Sequence, residues 1–443
     1  MISSISLLGS SSGRNAGDAA LISGIMDSLD NEFGTRLLYE IPTIKPEFIW
    51  QNYQNRVRPI SMLPWAGSIK MLGVPTLASL MRTDLSMIFD AILFDRQLFN
   101  PLFNYLSTLS LLLPLAKKRG KKLGCFNVGA GPVTTPRGKA MLRDICELMD
   151  FITVRDEDSF KILRGIGVKN PHLVVTADAA LTVTPSSAAR VDEILAAAGM
   201  GAQAPSHQGA ATTEILGINI SAYLDTWVSP DRTPMGKERF IKIYSEALSK
   251  VLHELKVPAL YVCTQYHDVA VTRELMAATK SPAHQALVSN RELSHYDIKG
   301  VLGRLGLLFG MRLHAVILAS SGFTPVIALP HQPKVNHYLR TLGLEDRAMS
   351  FDNFTPQGIA QHILKAWSDR AAIRRQLEAK IPLQQEKSLI AAKLIHALHR
   401  GEAIGNALQR LEAGASSNTS NLAPVNIVGD AQPPFPIGAI IGG

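Results

Sequence analysis

Three basic side chains and one histidine stand where apolar runs give way to polar or helical sequence. They are Arg155 in "FITVRDEDSFKIL", Arg312 and His314 in "LGLLFGMRLHAVILASSG", and Lys334 in "PVIALPHQPK". A guanidinium grips a carboxylate or phosphate through two parallel hydrogen bonds, and an ammonium adds a point charge. Imidazole exchanges protons near neutral pH. The set suits an anionic substrate that must gain or lose a proton. Each residue also has an ordinary explanation: Arg155 as half of an ion pair, Lys334 as surface charge, His314 as a satisfied core histidine. Arg312 and His314, two residues apart, do not share a face of a regular helix, but a strand-to-helix junction can aim both into one cleft.

Two small-residue loops extend the candidate site. In "GSSSGRNAGDAALISGIMDSL" a strand gives way to a helix, and glycine there lets backbone amides approach an anion at the helix N-terminus. The spacing of Gly9, Gly13 and Gly17 is not a dinucleotide fingerprint, and no Lys-Ser or Lys-Thr completes a P-loop. Asn15 and Asp18 are candidates to meet a ligand, with Asp18 alternatively capping the helix. In "CFNVGAGPVTTPRG", Gly129, Gly131 and Pro132 describe a tight loop, either a plain turn or one whose amides line the site together with Thr134 and Thr135. Asp156, Glu157 and Asp158 suit the dipole of a helix's first turn. His267, His295, His331 and His337 lack zinc spacing, and Cys125, Cys146 and Cys263 lie far apart in apolar settings. No metal site and no disulfide framework is expected.

The elements that position these residues follow a βαβ rhythm. "ISSISLLG", "TRLLYEI", "LSMIFDAILF", "KKLGCFNVG", "DFITVRD" and "HLVVTAD" are short apolar runs separated by helical patterns. Near-continuous apolar strands separated by helices imply a parallel sheet covered on both faces. Between 186 and 214 the sequence turns small and polar, which reads as a linker or surface insertion. The rhythm restarts with "EILGINIS", "PALYVCT", "HQALVSN", "LGLLFGM" and "TPVIALP", then helices to about Leu411. The expected organisation is a first Rossmann-like domain at 1–185, a second at 215–411 carrying His314, and a Gly-, Pro- and Ser-rich tail at 412–443. Two such domains face each other across a cleft at the carboxyl ends of their strands.

The 443-residue chain is 46% hydrophobic and 19% charged, as suits a globular α/β protein, with a formal charge of +8. No long basic run and only 6% aromatics leave a nucleic-acid stacking surface without a basis. "MISSISLLGSSSG" reads as a strand and turn, not a signal peptide, so a cytoplasmic protein is expected. The segment "LFNPLFNYLSTLSLLLPLAKKRGKK", 98–122, reads as a packed helix. Its apolar-then-basic order is also compatible with peripheral contact at the inner membrane face, but it falls short of about 18 uninterrupted apolar residues.

In order along the chain, "RNAGDAALISGI", "GAGPVTTPRG", "TVRDEDSFKIL", "TADAAL", "GINIS", "GMRLHAVILASSGFTPVIAL" and "PKVNHYLRTLGL" resemble the polysaccharide pyruvyl transferase family. The resemblance implies a GT-B-like fold and transfer of a pyruvyl group from phosphoenolpyruvate to a sugar or glycan acceptor, forming a ketal across two hydroxyls. It matches Arg155 to the family's carboxylate- or phosphate-binding arginine, His314 to its acid histidine, and Lys334 to its basic residue after the last strand. Arg312, Asn15, Asp18 and Gly131 join them as expected substrate contacts. No cofactor is expected beyond phosphoenolpyruvate as donor substrate. The acceptor is compatible with a lipid-linked precursor. Asp18 and Asp178 are weak candidates for the hydroxyls' base. The chain departs from the family where a glycine-rich strand end gives way to "MIFDAILFDRQLFN" with Asp90 and Asp95, and where "HQ" precedes "PK". The alternatives are a glycosyltransferase using a nucleotide sugar and a glycan-binding relative without activity.

Overall fold

A computed structural model describes residues 1–9, 14–43, 45–53, 56–61, 73–90, 93–99, 104–201, 214–222, 236–330 and 333–417. Two parallel sheets organise the chain. The first contains β1 (Ser4–Leu8), β2 (Leu38–Thr43), β3 (Val57–Ser61), β4 (Leu85–Ile88), β5 (Lys122–Val128), β6 (Phe151–Val154) and β7 (Leu173–Val175) in the order β3-β2-β1-β4-β5-β6-β7. Its connections carry α1 (Ala16–Phe33), α2 (Pro46–Tyr53), α3 (Gly73–Arg82), α4 (Leu106–Lys118), α5 (Pro136–Leu148) and α6 (Glu157–Gly165).

The second sheet contains β8 (Leu216–Asn219), β9 (Ala259–Cys263), β10 (Gln285–Ser289), β11 (Leu307–Gly310) and β12 (Val326–Ala328), in the order β10-β9-β8-β11-β12. Around it lie α7 (Ala188–Ala197), α8 (Lys237–Leu255), α9 (Asp268–Ala278), α10 (His295–Leu302), α11 (Leu313–Ser320) and α12 (Pro333–Thr341). The chain ends in α13 (Pro356–Ser388), α14 (Ile390–His399) and α15 (Ile404–Ser417).

Strand order reverses between β1 and β4 in one sheet and between β8 and β11 in the other. Connections leave such a switch point in opposite directions, so a crevice opens at the carboxyl ends of the strands. Asn15 and Asp18 follow β1, Asp90 follows β4, and Arg312 and His314 follow β11, which sets all five at these openings.

The strand runs read from sequence all appear, and one strand was missed. β3 carries Arg58 and Pro59, which break an apolar run, yet proline is tolerated because β3 lies at the sheet edge. Within the stretch expected to link the domains, Ser187 caps α7 by accepting from the Arg190 amide at 3.3 Å. Residues 202–213 of that stretch, and the tail beyond Ser417, lie outside the described residues. Six residues past the expected end at Leu411, α15 is still helical.

The halves are packed together through a shared apolar core that includes Leu21 and Ile25 of α1, Ala180 and Leu181 of the short turn Ala179–Thr182, and Leu313 and Ile317 of α11. Polar fastenings add to it. The Ala16 amide donates to the Thr264 carbonyl at 2.8 Å, and Ser23 Oγ pairs with His295 Nε2 at 2.7 Å. α13 packs on α8 and on the Ala179–Thr182 turn, and α14 on α1, so the chain returns to the first sheet. There Asn127, in the left-handed region at φ 49°, donates its Nδ2 to the Ser388 carbonyl at 2.8 Å. The β5 register shifts between Cys125 and Val128, a bulge that turns the following Gly129–Gly131 loop.

Candidate active site

His314 is the second residue of α11, whose N-cap is Arg312. Its ring lies against Gly17 in the first turn of α1: a Cβ added there would fall 2.2 Å from His314 Nδ1. Asn15 caps α1 by accepting from the Gly17 amide at 2.9 Å, and its Nδ2 donates to Asp18 Oδ1 at 2.8 Å. Asn15, expected as a ligand contact, thus also serves as the N-cap of α1. Ser10–Gly13 of the preceding loop lie outside the described residues.

On its other edge, His314 Nε2 is 3.7 Å from Asp178 Oδ2, close enough for charge attraction but beyond hydrogen-bond distance. That nitrogen is buried and makes no hydrogen bond among the described residues. The same Oδ2 accepts from Arg155 at 3.2 Å, while Asp178 Oδ1 accepts from the Ala180 amide at 2.9 Å. Asp178 is 3% exposed. Burial alone would push its carboxyl up, but His314, Arg155 and the Ala180 amide outweigh that and hold it at about 2. Asp178 is thus a buried anion shared by the histidine and the arginine. Both oxygens of Asp178, a weak candidate for the base, are engaged and buried.

Arg155 leaves β6 with its own amide donating to the Val128 carbonyl at 3.0 Å. Its guanidinium passes over Gly129, where an added Cβ would meet NH2 at 2.6 Å, and its Nε lies 3.7 Å from Asp156. Glycine at 129 is a steric requirement for that path. Gly131, expected among the substrate contacts, turns the loop at φ 88° and gives its amide to the Leu93 carbonyl at 2.7 Å. That donor serves the loop. Thr134 and Thr135, for which a plain turn and a place in the cleft were both open, serve the loop: the Thr134 amide donates to Asp95 at 2.8 Å, and Thr135 caps α5. Asp95 accepts from both threonine amides and holds the loop.

Arg312 is clamped. Its Nε and NH2 donate to the two oxygens of Asp268 at 2.8 and 2.6 Å, and its amide donates to Asn219 Oδ1 at 3.0 Å. Asp268 is fully buried and also accepts from the Ala222 amide at 2.9 Å. This bidentate pair fixes the start of α11 and so the direction of His314. Arg312 was expected either to touch substrate or to hold this loop, and its pair with Asp268 does the second.

Lys334 was expected in a loop, but it lies in the first turn of α12. Burial and the neighbouring Arg155 and Arg312 push its ammonium down to about 8, against the opposing pull of Asp90 and Asp18. These influences bring Lys334, Arg155, Arg312, Asp18 and Asp90 into one electrostatic neighbourhood. His331 and Gln332 lie outside the described residues.

Sequence reasoning missed Asp268 and Asn219 and the shared position of Asp178. The motif "NAGDAAL" held a signal for the close approach at Gly17, since only a residue without a side chain fits there. A histidine-carboxylate group also escaped it: Asp156, Asp158 and His337 place ligand-type atoms within 4.8 Å of one another. Capping and ion pairing account for that group, because Asp156 accepts from the Ser159 amide at 2.7 Å and Asp158 from Arg340 at 3.1 Å.

Two parallel sheets whose strand ends face a shared crevice define a GT-B-like α/β protein. Three solved structures share the fold. A UDP-GlcNAc 2-epimerase from Neisseria meningitidis bound to UDP-GlcNAc is 12% identical with a TM-score of 0.57, covering 88% of this chain and 98% of its own. A glycosyltransferase from Rickettsia africae is 13% identical at 0.54, covering 88% and 97%. Anabaena HepE in complex with UDP and glucose is 14% identical at 0.51, covering 94% and 100%. The family profile of polysaccharide pyruvyl transferase matches residues 15–333, most of the chain, and the protein belongs to that family.

Proposed function

We propose that the protein transfers a pyruvyl group from phosphoenolpyruvate to a sugar of a glycan precursor, closing a ketal and releasing phosphate. One observation carries the reading: His314 and Arg155, from opposite domains, share buried Asp178, with Lys334 in the same electrostatic neighbourhood. Arg155 and Lys334 bind the donor's carboxylate and phosphate, and Asp178 lies 3.7 Å from the His314 imidazole beside them.

His314 protonates the donor's methylene carbon, which becomes a methyl group and leaves an oxocarbenium-like centre. A sugar hydroxyl attacks that centre and loses its proton to the now neutral imidazole. A second hydroxyl then displaces phosphate, which leaves with the remaining proton, and the ketal ring closes. Acid, base and cation chemistry supply every step, so the reaction as drawn uses no cofactor. We place it in the cytoplasm, where phosphoenolpyruvate is available, with acceptors of exopolysaccharide or cell-envelope synthesis.

The nucleotide-sugar reading draws support from the fold shared with UDP-binding proteins, and fold does not fix function. Incubation with phosphoenolpyruvate and candidate glycans decides between them. Phosphate release with addition of a pyruvyl ketal supports the proposal. Turnover of a nucleotide sugar without that addition rejects it. Glycan binding without either turnover points to an inactive relative.

A further inference from the structure

We propose that the outer face of α3 and α4 docks on an anionic phospholipid surface. Scattered exposed apolar side chains are ordinary on proteins, so their arrangement has to carry the argument. Leu111 and Leu115 are 72% and 48% exposed, and with the exposed Lys118 they follow the i, i+4, i+7 spacing of a single helix stripe. The opposite side of α4 is also apolar, but Leu109, Leu112, Leu113 and Ala116 bury it in the domain core. The outer stripe is therefore surplus to what packing this helix requires.

Neighbouring elements extend it. Gly73 packs on α4 at Leu112 and Thr108, and next to it Val74 is 58% exposed. Phe99, 61% exposed, lies before α4 with the Arg137 guanidinium 4.9 Å from its ring centre. Arg137 belongs to the first turn of α5, directly after the loop whose Gly129 touches Arg155. The face thus begins near the cleft rim and runs along α4, a length of about 20 Å.

Charge selects the partner. Residues 99–122 contain Lys117, Lys118, Arg119, Lys121 and Lys122 and no Asp or Glu, and residues 61–82 also lack acids. Lys118 and Arg119 are exposed at the end of the apolar stripe, whereas Lys117 is paired with Asp150. Leucines for the acyl boundary beside cations for headgroups match an anionic bilayer surface. Among the described residues, no helix is long and apolar enough to cross a membrane, so contact here is peripheral. Resting on the proposed function, docking here holds the protein at a surface that carries lipid-linked acceptors.

The test uses the full chain and sedimentation with vesicles of phosphatidylcholine alone or with about one-third phosphatidylglycerol. The expected result is binding to the anionic vesicles at least about tenfold tighter than to the neutral ones, weakened by salt. The double variant Leu111→Asn and Leu115→Asn should lose about tenfold, and Lys118→Glu with Arg119→Glu a similar amount. Equal binding by the leucine variant would overturn the proposal, since adhesion would then reflect the net charge of +8 alone. So would absence of vesicle binding, or light scattering that shows a dimer dispersed by the leucine changes. Pyruvyl transfer to a soluble acceptor should be unchanged in that variant. Vesicle binding without any phosphoenolpyruvate turnover would leave the docking face standing and remove the catalytic reading.

Discussion

Gly17→Ala probes the contact between α1 and His314 at the candidate site. The new Cβ would stand 2.2 Å from His314 Nδ1, 2.4 Å from Cγ and 2.6 Å from Cβ. Ordinary heavy-atom contact is about 3.5 Å, so the imidazole or the start of α1 must yield by roughly 1 Å. Misplacing a reacting group by that distance costs about 100-fold in rate, or about 2.7 kcal/mol of barrier. Stability responds differently. Alanine favours a helix over glycine by about 1 kcal/mol. That gain offsets part of an overpacking cost of about 1–3 kcal/mol. Steady-state phosphate release should show kcat down about 100-fold while the KM for phosphoenolpyruvate changes little, since Arg155 and Lys334 are untouched. Urea unfolding should move by no more than about 2 kcal/mol. Wild-type kcat in a folded Gly17→Ala protein would refute the assignment of His314 as the acid held by this contact.

Three further outcomes follow from the charged groups. Lys334 titrates at about 8 in the fold against 10.5 when free, so between those values the unfolded chain holds a proton that the native protein lacks. Stability therefore rises with pH across that window, by at most about 3 kcal/mol, and denaturation of Lys334→Met should lack this component. Asp178 has the opposite sense: held at about 2 against 3.8, its contribution is present above 3.8 and is lost as pH falls through 2. Asp178→Asn should remove about 2 kcal/mol of that acid-sensitive stability and lower kcat, read by acid unfolding and by rate. Asp268→Asn should destabilise by about 3 kcal/mol in chemical denaturation, because it leaves the Arg312 guanidinium without its anionic partner.

Much of the fold was legible because parallel strands buried on both faces read as apolar runs, and helical patterns separate them. β3 was not, since Arg58 and Pro59 interrupt the run and only its edge position makes them acceptable. Arg155, His314 and Lys334 stood out as candidates from their junction positions and from the family resemblance. The acids that hold them could not. Asp268 lies 44 residues from Arg312, and Asp178 comes 23 residues after Arg155, so no local pattern announces either pair. The glycine loops were legible as loops, but the spending of Gly131's amide and of Asn15's side chain depends on partners that only the tertiary structure supplies.

Phosphoenolpyruvate turnover by the wild type and by folded His314→Ala, read as both phosphate release and acceptor mass, tests the central claim most directly. The account predicts one phosphate released for each pyruvyl ketal formed by the wild type, and loss of both in the variant. A folded variant that retains the full rate, or a wild type that turns over a nucleotide sugar without adding pyruvate, would contradict it.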